Sequence, residues 1–425
     1  MAEITPDTRD RSIDVLRLGS LLVVVLGHGV MLLVHFDEVG LRLENLLGYT
    51  SVLQGATWAL QVLPLFFFAG AAASARGCAG GTAWGTWLFR RAQRLYRPVF
   101  YYLGFWILIG TPLIWLFIPP EISHPVMALS VQLLWFIGAY LAVLACLPLL
   151  ARIEDARQLW LTVGGLYALT GLMDVMRISG FGSIVGFSNF LWVWLIPAAL
   201  GVGYWRGVIR RDSAVTGALA MLVVDIGLVY WGPYELSLIG IEGQKISNMV
   251  PPSLLLAGHC VVLCLLAVAV APWLDRWARR ARVWWFVAIG NGGAMTLYLW
   301  HIPALVVVFG VSHALGHDRS TPEQDGFIAL LLIQMIAFLA LTAVLFRLLL
   351  PLETLPIPWW DSEVDPTAGR RSVAAGIAVA VAAIATLLVA RDGLTYFGVA
   401  MICLMLISLA VARDLVRAPR SVAGV

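Results

Sequence analysis

One apolar stretch near the N-terminus, RSIDVLRLGSLLVVVLGHGVMLLVH from Arg11 to His35, carries Asp14, Arg17, His28 and His35 inside it or at its end. A helix turns ~100° and rises ~1.5 Å per residue. The eleven steps from Arg17 to His28 therefore make about three turns plus ~20° and ~16 Å of depth. Seven further steps return His35 to the same face, and Asp14, one turn before Arg17, is placed to pair with it. Such a stripe offers a guanidinium, which grips phosphate and carboxylate, and imidazoles, which move protons near neutral pH. Gly27 and Gly29 flank His28 and admit a second backbone or a ligand. The plain alternative is an Arg17 that snorkels to the headgroups and a His28 hydrogen-bonded between helices. Two ionisable groups on one face of a buried span favour chemistry over packing, because charge inside a bilayer usually marks a functional site.

A second imidazole stands late in the chain. The stretch VWWFVAIGNGGAMTLYLWHIPALVVVFG carries Asn291, Thr296, Tyr298 and His301, with Pro303 two residues past the histidine. It predicts a span that places His301 at a depth similar to that of His28. A third cluster, WLFRRAQRLYRP, sets Arg90, Arg91, Arg94 and Arg97 at spacings of three and four on one helical edge, with Trp84, Trp87 and Tyr96 interleaved. A positive-inside signal accounts for one or two of these arginines. The excess suits a polyanion such as a nucleotide phosphate, with anionic lipid as the competing ligand. Arg347 and Glu353 close the region in FRLLLPLETLP.

The elements that must position these groups are membrane helices. Of 425 residues 60% are hydrophobic and 12% charged, and mean hydropathy is +0.88. No polar stretch is long enough for a large soluble domain. Apolar runs fall near 13–35, 51–73, 95–118, 127–150, 158–176, 186–205, 214–232, 249–271, 283–311, 324–350, 372–390 and 393–412. They predict an all-α polytopic bundle of twelve transmembrane helices, the first an uncleaved span rather than a secretory signal. With the N-terminus cytoplasmic, twenty-two of the Arg and Lys residues fall in inside segments. Only Arg42, Arg177, Lys245, Arg319 and Arg391 fall outside, and Arg347 stands within a helix. This asymmetry predicts cytoplasmic N- and C-termini. It also makes the net charge of +3 a topology signal rather than a nucleic-acid footprint.

Three units are expected: a ten-helix core over 1–355, a polar cytoplasmic linker over 356–371, and a C-terminal hairpin and tail over 372–425. Pro64 predicts a kink in the second span, and Gln54 and Gln61 a polar seam between helices. Asp174, Asn189 and Asp225 are isolated polar groups of spans five to seven. Asp225 stands mid-span without an obvious partner, so it is expected neutral or paired within the bundle. His259 is expected to pack in the core. The longest exterior loop, 233–250, carries Glu235, Glu242 and Lys245. The five cysteines match no metal site and no disulfide framework. Cys260 and Cys264, one turn apart, read as small packing residues.

These stretches together resemble the acyltransferase family three, integral-membrane acyl-CoA-dependent O-acyltransferases. The likeness lies in Arg17 and His28 with ten residues between them in RSIDVLRLGSLLVVVLGH, then LPLFFFAG, RRAQRLYRP, LLWFIGAYL, YLWHIP and LETLP, in that order over about 11 to 355. Each motif alone is weak; their joint order is specific. Ala69 stands where the family often has Ser, and the final hairpin lies outside the usual ten-helix core. The resemblance implies cytosolic acyl-CoA as donor, with no tightly bound cofactor and no metal. It implies an acceptor hydroxyl on a glycan or glycolipid of the cell envelope, in a bacterial plasma membrane. His28 and Arg17 are the expected catalytic residues. Arg90, Arg91, Arg94, Arg97, His301, Tyr298 and Glu353 are the expected substrate-binding ones, with His301 in a positioning role. A secondary transporter is the rival class, although no pair of broken helices in matching halves points to it. Membrane lipids are expected partners and nucleic acid is not; oligomeric state stays open.

Overall fold

The computed structural model describes Pro6 and residues 9–37, 40–181, 183–241, 243–244, 246–365 and 368–417. Its order is α1 (Arg11–Met31), β1 (Leu32–Asp37), β2 (Gly40–Asn45), α2 (Ser51–Leu60), α3 (Leu63–Ala79), α4 (Trp84–Phe105), α5 (Thr111–Phe117), α6 (Pro120–Gln132) and α7 (Leu134–Leu150). Then come α8 (Ala156–Ile178), α9 (Ser183–Phe187), α10 (Asn189–Arg206), α11 (Arg211–Trp231), α12 (Leu254–Ala278), α13 (Ala281–Gly292), α14 (Ala294–Ala314), α15 (Phe327–Leu349), α16 (Gly369–Asp392) and α17 (Tyr396–Leu415). Among the described residues twelve helices, single or joined end to end, are long and apolar enough to cross a membrane. The protein is an integral membrane helix bundle. The side on which α1 begins is called here the near side, and the side on which it ends the far side.

Three departures from a plain row of spans shape the interior. The first helix stops at Met31, and the chain turns into an antiparallel β1–β2 hairpin. His35 therefore leaves the helical stripe. It stands opposite Arg42 in the hairpin, 3.4 Å from a Glu44 carboxylate oxygen. The expectation of a shared face with His28 is corrected by this early end. The second span breaks at Gln61–Val62, with Pro64 in the first turn of α3, where a missing N–H costs nothing. Gln54 and Gln61 do not form an inter-helix seam. Their amides donate to the carbonyls of Leu47, at 3.0 Å, and Leu238, at 3.1 Å. The stretch read as one span over 283–311 is two helices parted at Gly293. There an added Cβ would stand 2.4 Å from the Phe346 ring and 2.6 Å from Leu350.

α10 packs on α3, α7, α8 and α12, while α1 packs on α3, α12, α13 and α14. The near-side start of α1 is pinned. Asp10 caps it through Ser12 N at 3.0 Å, the Arg11 amide donates to Asp275 at 3.0 Å, and Asn291 donates to the Asp14 carbonyl at 2.8 Å. Asp14, which is buried, pairs with Arg9, at 2.7 Å, and not with Arg17 as its spacing suggested, because Arg9, just ahead of the helix, folds back onto it with both guanidinium bonds. The C-terminal hairpin is built into the bundle: α16 lies along α4 and α7. Ser372 accepts the Gly85 amide at 3.0 Å, capping α4, and Tyr96 meets Thr386 at 2.6 Å. Asp225 is fully buried and makes no hydrogen bond among the described residues; it packs directly on Gly258. His259 is buried against the edge of Trp58. Glu242 and Lys245 lie outside the described residues.

Candidate active site

α1 is unbroken from Arg17 to His28, so the ~16 Å of separation along one face stands. At the far end His28 meets α14. His28 Nδ1 lies 2.9 Å from His301 Nε2, with the rings nearly parallel and their centroids 5.2 Å apart. His301 is fully buried and His28 is half-buried, so the exposed edge of the pair belongs to His28.

The hydrogen-bond partners assign the tautomers. His301 Nδ1 lies 3.2 Å from the Leu297 carbonyl, one turn back on its own helix. A carbonyl only accepts, so His301 carries its proton on Nδ1 and, as a neutral ring, presents a lone pair at Nε2. His28 must then donate from Nδ1. That leaves His28 Nε2 unprotonated and free to take a proton from a reacting group. His301 is held in turn: the Tyr298 ring stands beside it, at 6.2 Å between centroids. The Tyr298 hydroxyl donates to the Leu133 carbonyl at 2.7 Å, across the break between α6 and α7. Glu353 supports the same helix from its start. α14 has no cap of its own, and Glu353 accepts from Thr296 N at 2.6 Å and Thr296 Oγ1 at 3.1 Å, which satisfies helix-end donors and favours the dipole.

Toward the near side the arginines divide by partner. Arg97 is taken up by Asp361, at 2.8 and 2.5 Å, and by the Glu353 carbonyl at 2.9 Å. Trp360 holds this linker in place, fully buried and exchanging hydrogen bonds with Gln93 at 2.9 and 2.7 Å. Arg17, Arg90, Arg91 and Arg94 make no hydrogen bond or ion pair among the described residues. Arg91 lies 5.8 Å from the Trp87 ring centre and within electrostatic range of Arg94, Arg17 and Tyr140. Like charges gathered without an acceptor repel one another, and an anion relieves that repulsion. Arg90 and Arg94 also line a cavity of about 350 Å³ with Asp361, Ser362 and Glu363.

Of the residues singled out from the sequence, the structure brings His28, His301 and Tyr298 together at one depth. It brings Arg17, Arg91 and Arg94 together at another. Arg97 and Glu353 fall into supporting contacts. Among the described residues no group of three His, Cys, Asp or Glu side chains is arranged to hold a metal ion. Sequence reasoning missed Asp361, hidden in a linker, and Arg319, counted only as an exterior cation.

Compared with known families, residues 10–349 match the family model described as an acyltransferase domain, acyltransferase family three. The chain belongs to that family. The match takes in the His28–His301 pair and the arginine groups, and stops before Glu353 and the C-terminal hairpin. The protein is thus a membrane acyltransferase, a transferase acting on groups other than aminoacyl groups. No curated protein and no solved structure matches it.

Proposed function

We propose that the protein moves a short acyl group from cytosolic acyl-CoA to a hydroxyl of a cell-envelope sugar or glycolipid, with the near side cytoplasmic. The observation that carries this reading is the imidazole pair. His28 Nε2 is left as the available base by a chain of hydrogen bonds ending on the Leu297 carbonyl. The diphosphate and ribose phosphate of CoA are assigned to Arg90, Arg91 and Arg94, with Arg17 deeper along α1. From there the extended pantetheine arm covers the ~16 Å to His28.

At the imidazole the acceptor hydroxyl gives its proton to His28 Nε2 as its oxygen attacks the thioester carbonyl. The C–S bond then breaks, and the departing thiolate takes the proton back from the imidazolium. Attack by Nε2 itself, to give a transient acyl-imidazole, starts from the same nitrogen. Tyr298, Glu353 and Arg97 act as supports for α14 and the linker. Membrane lipid is the solvent of the bundle.

The test is radiolabelled acetyl transfer by purified protein in nanodiscs, with mass spectrometry of envelope glycans and lipids from cells with and without the protein. A new ester on one acceptor supports the reading. Unchanged esters, with solute uptake into liposomes instead, would sink it.

A further inference from the structure

Arg319 stands in the far-side segment between α14 and α15, and its side chain is fully buried. Nη2 donates to the carbonyls of Gly29, at 2.7 Å, and Leu32, at 2.5 Å. The first belongs to the last turn of α1 and the second to Leu32, the residue that ends it; carbonyls at a helix C-terminus lack partners within the helix. The guanidinium lies over the Phe309 ring, 5.0 Å from its centre. Phe309 is eight residues beyond His301 on α14, about 12 Å further along that helix. The Arg319 carbonyl also accepts from Val34 N at 2.9 Å, tying down β1. One residue therefore holds the far ends of both helices that carry the imidazoles.

The turn it holds is clamped from the other side as well. A Cβ on Gly29 would stand 2.7 Å from Met335 Sδ and 3.0 Å from the Phe338 ring of α15. Leu32 N closes onto the His28 carbonyl. Among the described residues no carboxylate pairs with Arg319, and its Nε and Nη1 make no hydrogen bond. Burial lowers its pKa to about 10, so it is still a cation at neutral pH. A buried charge with unmet donors costs several kcal/mol, more than a neutral cap would. A cation at a helix C-terminus recovers part of that cost through the dipole, and only a forked side chain reaches two carbonyls and an aromatic face at once.

We propose that Arg319 is a positioning residue for acyl transfer: it straps the far ends of α1 and α14 together and so keeps His28 Nδ1 on His301 Nε2. This role rests on the reading of His28 as the base. A displacement of about 1 Å at a reacting group is worth roughly a hundredfold in rate.

The test is a double-mutant cycle in nanodiscs, reading CoA thiol release from acetyl-CoA, with hydrogen exchange of residues 26–34 measured alongside. Arg319→Gln is expected to lower kcat about tenfold to a hundredfold with the donor KM unchanged. Arg319→Lys, which keeps the charge at the helix end but loses the fork, recovers only part of that loss. In a His28→Ala background Arg319→Gln changes nothing further. Exchange rises over 26–34 and stays as it was over α12. Equal losses on both backgrounds, a loss that falls on donor KM, or no local rise in exchange would overturn the proposal. If Arg319→Gln does not fold, Phe309→Leu takes its place in the cycle; it removes the ring and keeps both carbonyl bonds. A His28→Ala enzyme with wild-type turnover would remove the base assignment while the exchange readout still decides the strap.

Discussion

His301→Ala separates the two imidazoles by role. The substitution removes the acceptor of the His28 Nδ1–H, at present 2.9 Å away. His28 keeps its second nitrogen but loses what fixes its tautomer and ring angle. Leaving a buried donor unpaired costs about 1–3 kcal/mol, which corresponds to roughly 5- to 150-fold in kcat. Removing the base itself, by His28→Ala, costs about 10²- to 10⁴-fold. His301→Gln places an amide oxygen where Nε2 stood and is expected to recover turnover to within about tenfold of wild type. The assay is acyl transfer by protein shown to be folded by size-exclusion chromatography, with donor KM measured in parallel. The expected order of loss is His28→Ala, then His301→Ala, then His301→Gln. A His301→Ala enzyme slower than His28→Ala would reverse the roles and refute the tautomer assignment; so would a His301→Gln enzyme no better than His301→Ala.

Arg91→Gln and Arg17→Gln should each raise the donor KM by roughly tenfold, the worth of a charge-assisted hydrogen bond. Acetyl-pantetheine, which lacks the nucleotide, should show no such rise for Arg91→Gln; an equal rise with both donors returns Arg91 to a topology role. Asp361→Asn breaks a half-buried ion pair and is expected to lower the thermal midpoint while donor KM stays put, as calorimetry and kinetics on one preparation can show. Glu353→Gln weakens the cap on α14 by about 1 kcal/mol and should lower stability before it lowers turnover. For orientation, Glu235→Cys in a cysteine-free background should react with an impermeant maleimide in sealed cells and Arg279→Cys should not. The opposite pattern inverts the bundle.

Much of the architecture was legible because a bilayer makes hydrophobicity itself the code. Spans must be apolar for about twenty residues, so the runs in the sequence count the helices, and Arg17 and His28 announce themselves as charge where none is tolerated. The ordered motifs from Arg17 to Glu353 were enough to point to the family. Hydropathy is blind, however, to where a helix breaks inside an apolar run. The break at Gln61–Val62 lies just before the kink that Pro64 signalled, but the break at Gly293, where Phe346 of a distant helix packs in, carries no such local sign. Apolar Leu32 to Val34 reads as more helix, yet they form a strand whose backbone is anchored by Arg319.

Pairing was out of reach for the same reason. Local spacing offers Asp14 to Arg17 and groups Arg90 to Arg97 as one face. The fold gives Asp14 to Arg9 and Arg97 to Asp361, 264 residues away. The sequence by itself determined which apolar spans carry ionisable groups and how far apart Arg17 and His28 lie along α1, because rise per residue is a property of the helix alone. Only the tertiary structure decided that His28 faces His301 and which nitrogen is left free. That outcome depends on the azimuth and closeness of two helices 273 positions apart, which long-range packing sets and no local pattern encodes.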